Sequence, residues 1–132
     1  MATTTHPTAS VRNGLADYIV DQLDGGTLEL QIAGNTEVAT LTFGTPAFDA
    51  AGAPGGNATG VTTANAITDE TNATGNATDV TVAQLKNSGG TVIVECDVST
   101  ITAGTGAIQL SSVNLGAGDT VSLSTLTYTA PQ

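Results

Sequence analysis

The sequence has very few basic residues. Lys and Arg together number 2 against 12 Asp and Glu, so the formal net charge is −10. Because nucleic acids and anionic membrane surfaces bind clustered Lys and Arg, this balance excludes direct nucleic-acid binding and disfavours a membrane partner. It favours a partner with a cationic surface, or a medium of high salt.

Aromatic residues and long hydrophobic runs are scarce as well. Aromatics make up 3% of the 132 residues, and Trp is absent. The length corresponds to one domain, whose core must come from Val, Ile, Leu and Ala, and neighbouring subunits are one way to offset the smaller apolar area that such a core buries. No apolar run approaches the roughly 18 residues of a transmembrane helix. The N-terminal MATTTHPTAS has neither the basic nor the apolar region of a signal peptide, so we expect neither feature.

The chain also lacks the residue patterns of common active sites. It contains one His (His6), one Cys (Cys96) and one Lys (Lys86), and the motifs H-x-x-x-H, G-x-S-x-G, G-x-G-x-x-G and the P-loop do not occur. Cys96 alternates with Val94 and Val98, which predicts a small buried hydrophobe rather than a catalytic thiol. We therefore predict a protein that is not an enzyme and has no cofactor.

Two polar loops carry motifs that imitate binding sites. Asn57, Asn72 and Asn76 begin Asn-x-Thr triplets, at about the frequency that the Thr-rich composition predicts by chance. ETNATG, residues 70–75, resembles the first half of a calcium loop, but its first residue is Glu and the twelfth position is Thr81 instead of a bidentate Glu. We predict solvated turns, formed through side-chain hydrogen bonds of Asn and Thr, and no metal site.

Residues 10–24, SVRNGLADYIVDQLD, form the one helical pattern of the sequence. Ser10 is the predicted N-cap, Gly25 and Gly26 end the pattern, and residues 1–9 are predicted to be an extended N-terminal arm. The 3.6-residue spacing predicts that one apolar stripe faces the core, and its members are Val11, Leu15, Tyr18, Ile19 and Leu23. Asp17, Asp21 and Asp24 lie on the opposite face, which is either a docking stripe for a basic partner or the solvent-facing side of an amphipathic helix.

The remainder of the chain alternates with period two and has turn signals at regular intervals. The predicted strands are residues 27–32, 39–43, 61–67, 80–85, 91–99, 107–113 and 120–129. About seven short strands behind one helix indicate a mainly β protein, an antiparallel β-sandwich or a jelly-roll-like barrel with one N-terminal amphipathic helix. Residues 10–132 are predicted to be a single domain.

Three stretches resemble small structural proteins of tailed bacteriophages. They are the helix followed by GGTLELQI, the hairpin segment ATDVTVAQLKNSGGTVIVECDVS, and the final segment QLSSVNLGAGDTVSLSTLTYTAP. Together they extend from about Ser10 to Pro131. The relatives that can be assigned a place in the virion are head decoration (cement) proteins, which sit outside the capsid shell and tie neighbouring capsid subunits together.

This resemblance implies a non-enzymatic virion protein on the outer capsid surface. Its partners would be the lattice of the major capsid protein and copies of itself, in a dimer or a trimer. We expect the contacts to come from the arm and from the acidic helix face, that is, from Thr3, Thr4, Thr5, His6, Pro7, Thr8, Asp17, Asp21 and Asp24. The alternatives are a tail, neck or fibre component, including a glycan-binding β-sandwich, although glycan binders usually stack a sugar on an aromatic ring and Tyr18, Phe43 and Tyr128 are assigned to the core.

Overall fold

The computed structural model describes residues 7–52, 56–75 and 78–131. It contains one helix and seven strands, which confirms the predicted mainly β class. In chain order they are α1 (Ala9–Asp21), β1 (Thr27–Ile32), β2 (Thr36–Thr42), β3 (Val61–Thr63), β4 (Val82–Lys86), β5 (Val92–Thr100), β6 (Ile108–Leu110) and β7 (Thr127–Thr129). Within the described residues, no helix is long and apolar enough to cross a membrane.

The strands form a main sheet of five and a small sheet of two. The order in the main sheet is β2-β1-β4-β5-β6, and the small sheet pairs β3 with β7. All pairs are antiparallel except β5 with β6, where Val98 lies beside Ile108 in a parallel register. Parallel neighbours normally need a long crossover, but a three-residue strand requires the chain to return by only about 10 Å, and the turns after Thr100 do this.

The inner face of the main sheet holds the core. Leu28 and Leu30 of β1 pair with Leu85 and Ala83 of β4, and all four are at most 5% exposed. The outer face is polar, because an antiparallel sheet of this kind packs one face on the core and exposes the other face to solvent. There the Gln84 amide donates to Glu95 Oε2 at 2.8 Å, and the Lys86 ammonium bonds Glu29 Oε2 at 2.7 Å.

The hairpin between β4 and β5 is built as predicted from its K-N-S-G-G-T sequence. The Asn87 side-chain oxygen accepts from the backbone N–H groups of Gly89 at 3.0 Å and Thr91 at 2.9 Å. Gly90 has φ +86°, a conformation in which a residue with a Cβ is strained. Local hydrogen bonds and one glycine therefore set the register of this hairpin.

Several predicted boundaries differ from the structure. The helix begins at Ala9 and its N-cap is Thr8, whose Oγ1 accepts from Val11 N at 3.4 Å, so the prediction of Ser10 as the cap is wrong. The helix ends at Asp21 instead of residue 24, and the strands predicted at 61–67 and 107–113 shorten to Val61–Thr63 and Ile108–Leu110. The last strand is only Thr127–Thr129, because Val121 instead makes an isolated bridge to Glu70. Of the predicted arm, Pro7 and Thr8 precede the helix, and residues 1–6 lie outside the described residues.

Candidate functional site

The most exposed apolar side chains of α1 lie on one stripe. Val11 is 52% exposed, Leu15 43% and Tyr18 69%, and their spacing of four and three residues places them on one side of a helix. These residues are named the α1 stripe below. The prediction that they face the core is wrong, and so is the assignment of Tyr18 to the core.

The buried side of α1 is formed by Ala16, by Val20, which packs into the main core, and by polar tethers. Ala16 is fully buried in a cluster with Ala51 and Ala130. Beside it, Asn13 Oδ1 accepts from Gly60 N at 2.7 Å. Because Ala16 lets the neighbouring loop approach closely and the amide oxygen satisfies a backbone donor of that loop, the helix presents this side inward, and the α1 stripe remains in solvent.

The three aspartates of α1 and the following turn do not form one free acidic face. Asp17 Oδ1 accepts from Ala51 N, and Asp24 Oδ1 accepts from Ala47 N, each at 2.7 Å. Both are half-buried, whereas Asp21 is exposed. The prediction of a solvent-facing stripe of three carboxylates is therefore wrong for Asp17 and Asp24, which hold the loop after β2 against the helix.

Asp21 lies near two other carboxylates, those of Asp17 and Asp24. Partial burial raises the pKa of its carboxyl above the ordinary value, and the nearby charges of Asp17 and Asp24 raise it further. Asp21 follows Tyr18 by three residues, so it lies one turn beyond Tyr18, next to the α1 stripe. It thus gives one end of the stripe an acidic border.

The other end of the stripe adjoins the N-terminal arm. Thr8 caps the helix and is exposed, and Pro7 before it is half-exposed. The remaining predicted contact residues of the arm, Thr3, Thr4, Thr5 and His6, lie outside the described residues. The structure therefore brings Thr8 and Asp21 to the two ends of one apolar surface.

In the calcium-like loop, residues 70–75, the Glu70 carboxylate accepts hydrogen bonds from backbone N–H groups. Glu70 Oε2 accepts from Thr40 N at 3.3 Å and Oε1 accepts from Asn72 N at 2.8 Å. These backbone bonds lower the pKa of Glu70, the bond from Asn72 most strongly. The bond from Thr40 N occupies a backbone donor on the outer edge of β2. Among the described residues, no group of three or more His, Cys, Asp or Glu side chains could hold a metal ion.

Cys96 lies on the inner face of β5, opposite Ala83 of β4. Its Sγ is 3.8 Å from Ala83 O, and burial raises the pKa of the thiol to about 11, helped by the charges of Asp97 and Glu95. At neutral pH the group is therefore a thiol, not the thiolate that acts as a nucleophile. This environment agrees with the predicted role of a small apolar side chain.

The described residues form at least three clefts, and the two larger of these are considered as binding sites. The larger, about 440 Å³, is lined by several hydroxyl groups and Asp119 beside aliphatic side chains, and no aromatic side chain is among its described lining residues. The smaller, about 220 Å³, is lined almost entirely by apolar side chains and includes Cys96; it is named the apolar cavity below. No periodicity in the sequence indicated the apolar cavity, because its walls come from segments that are distant along the chain.

Comparisons of the chain with known protein families, with curated proteins and with solved structures find no match. The features of the molecule that indicate a function are therefore the α1 stripe, its acidic border and the two larger clefts. Of these, the α1 stripe is the surface that exposes the largest apolar side chains in a contiguous row.

Proposed function

We propose that this protein is a non-enzymatic structural protein that decorates and cements the outer surface of a tailed-phage capsid. The observation that carries the proposal is the α1 stripe, with Tyr18 69% exposed on a folded chain. Adjacent large apolar side chains that remain in solvent are typical of a surface that another molecule covers. The resemblance of the sequence to head decoration proteins suggests that this molecule is the capsid lattice.

The stripe has the dimensions of a helix that docks in a groove. α1 has 13 residues, so it is about 20 Å long, and amphipathic helices commonly bind by laying such a face into an apolar groove. Fully burying a Val or Leu side chain contributes roughly 1.5–3 kcal/mol relative to leaving it exposed. Since Val11 and Leu15 are only about half-exposed, completing the burial of each adds about 1 kcal/mol.

The charge of the chain favours a cationic partner over an acidic one. The net charge is −10, and Lys86, one of the 2 basic residues, is paired with Glu29 at 2.7 Å. Asp21 borders the stripe and is exposed. We therefore expect the partner groove to carry Lys or Arg beside its apolar floor, where these residues would meet Asp21.

A modest contact of this kind is sufficient on a capsid. A lattice presents many identical sites, and a protein that binds the assembled shell better than free subunits stabilises the shell by linkage. Contacts from the arm of the same copy would add to the helix contact by raising its effective concentration. The total effect then resists expansion of the shell without any single strong interface.

A tail, neck or fibre component is the second candidate, because the same stripe would serve for docking there. The glycan-binding version of this alternative would use the hydroxyl-rich cleft of about 440 Å³, whose described lining contains no aromatic ring for stacking. The number of copies of the chain per particle distinguishes a head decoration protein from a tail, neck or fibre component, whichever surface binds.

The experiment is to quantify the chain against the major capsid protein in purified particles of the phage that encodes it. A ratio near one to one, or a simple fraction of it, is the expected result. A handful of copies per particle would instead indicate a component of the tail, neck or fibre. Absence from the particles would overturn the structural proposal altogether.

A further inference from the structure

The apolar cavity separates the main sheet from the layer that covers it. Val94 and Cys96 of β5 and Ile108 of β6 form one wall, and Val20 of α1 and Tyr128 of β7 belong to the opposite side. Protein interiors are normally packed with few voids larger than a water molecule. A space of about 220 Å³ is well above that size, so the side chains of the described residues do not complete the packing here.

Water is a poor occupant of this space. An ordered water needs two to four polar partners, and among the described residues that line the cavity the polar side-chain groups are only the Cys96 thiol and the hydroxyls of Thr127 and Tyr128. Thr127 is exposed at the mouth, beside Ala107, and the thiol is a weak hydrogen-bonding group. The interior of the cavity therefore has little to hold water and nothing that requires it.

The lining also decides the charge of any occupant. No charged side chain is among the described residues that line the cavity, although the chain as a whole carries −10. An ion placed there would lose its hydration without a partner, which costs several kcal/mol. An uncharged apolar molecule loses nothing comparable and gains contacts with Val20, Val94 and Ile108.

We infer that the apolar cavity is a binding site for a small, uncharged apolar molecule of one or two rings. An apolar protein cavity of roughly 150 Å³ stays dry and binds benzene, so the volume of about 220 Å³ here suits a molecule somewhat larger than benzene. Ala107 and Thr127 are exposed at the rim, and their small side chains leave the entrance open. This site is independent of the α1 stripe and of the proposed role on a capsid.

The single cysteine of the chain reports directly on occupancy. Cys96 lines the cavity and is the one thiol in the sequence, so its alkylation by iodoacetamide measures access to this space alone, at an alkaline pH of about 9 where a larger fraction of the thiol is ionised. An occupant should slow the reaction in proportion to the fraction of cavities that are filled. With the occupant at ten times its Kd, the rate should fall about tenfold.

The experiment uses the full chain, with toluene and naphthalene as probes and benzoate as the charged control. We expect toluene and naphthalene to raise Tm and to slow alkylation of Cys96, and benzoate to change neither. Failure of both probes to change either measurement, up to the limit of their solubility, would overturn the inference.

A variant with a larger side chain in the apolar cavity tests whether the probes bind there. Cys96→Leu places a larger apolar side chain in the cavity and should reduce the rise in Tm that the probes produce, most strongly for naphthalene, the larger of the two, whereas Val92→Leu, an exposed site in the same strand that does not line the cavity, should keep it. If Cys96→Leu does not fold, Leu126→Phe narrows the same cavity from the opposite side. An undiminished rise in Tm in a folded, filled variant would place the probes elsewhere and contradict the inference.

Discussion

The main sheet and α1 are held in the molecule in opposite ways. The sheet buries its large residues, and Leu28, Leu30 and Leu41 are completely inaccessible. The helix buries Ala16 and Val20, is tied to the neighbouring loops by Asn13 and Asp17, and leaves the α1 stripe in solvent. The sheet therefore uses its apolar surface for its own stability, whereas α1 retains much of its apolar surface for a partner.

The largest effect should come from truncation in the main sheet. Leu30→Ala removes a fully buried side chain between β2 and β4, and such changes cost about 2–5 kcal/mol because the cavity is only partly refilled. We expect the free energy of unfolding in urea to fall by this amount. Leu15→Ala, the matched change on the α1 stripe, should cost far less, and equal losses at the two sites would remove the contrast between sheet and helix.

The next effect should come from a polar tether of α1. Asp17→Ala leaves the buried N–H of Ala51 without its acceptor, which costs about 1–2 kcal/mol. The control is Asp21→Ala, because Asp21 is the exposed aspartate of the same helix. In urea, the free energy of unfolding should fall for Asp17→Ala only. A similar fall for both variants would mean that the loss of a negative charge from the helix, and not the loss of the hydrogen bond to Ala51 N, is the cause.

A still smaller effect on stability, with a large effect on binding, is expected on the stripe. Tyr18→Ser should change the free energy of unfolding by no more than about 0.5 kcal/mol, as is usual for exposed positions, and should strongly reduce binding to undecorated capsid shells. Ile101→Ser is the control, since Ile101 is 63% exposed but is not part of α1. Co-sedimentation with the shells gives the result, and equal binding by both variants would exclude the stripe as the docking surface.

The smallest effect is a dependence on pH. The folded state raises the pKa of Asp21 above its ordinary value of 3.8, so folding favours the protonated carboxyl, and the charged form opposes stability at neutral pH. Asp21→Asn should therefore be slightly more stable than the natural chain at pH 7. This advantage should disappear as the pH falls through the raised pKa.

Urea midpoints for the two proteins between pH 7 and pH 3 test this prediction. Because Asp21 is largely exposed, the difference should also shrink in high salt, which screens the repulsion from Asp17 and Asp24. An advantage of the Asn variant that grows toward low pH would have the wrong sign and would contradict the assignment.

Part of the candidate site was predictable from the sequence. The spacing of Val11, Leu15 and Tyr18 identified an apolar stripe, and Thr8 and Asp21 were among the predicted contact residues. What could not be predicted was the direction of the stripe, because the tethers of Asn13 and Asp17 connect to Gly60 and Ala51, which are distant along the chain. The signal that was present, a small Ala16 among larger residues, acquires meaning only beside Ala51 and Ala130.

The sequence by itself determined the mainly β class, the hairpin at Asn87–Thr91 and the inward side of the strands. These features depend on the two-residue alternation of a strand and on hydrogen bonds between near neighbours, which short segments encode. Only the tertiary structure decided that β6 runs parallel to β5, that Glu70 bonds to the edge of β2, and that α1 turns Val11, Leu15 and Tyr18 outward. The first depends on the turns after Thr100, which bring the chain back beside β5. The other two depend on contacts between segments far apart in the chain, which the local pattern does not encode.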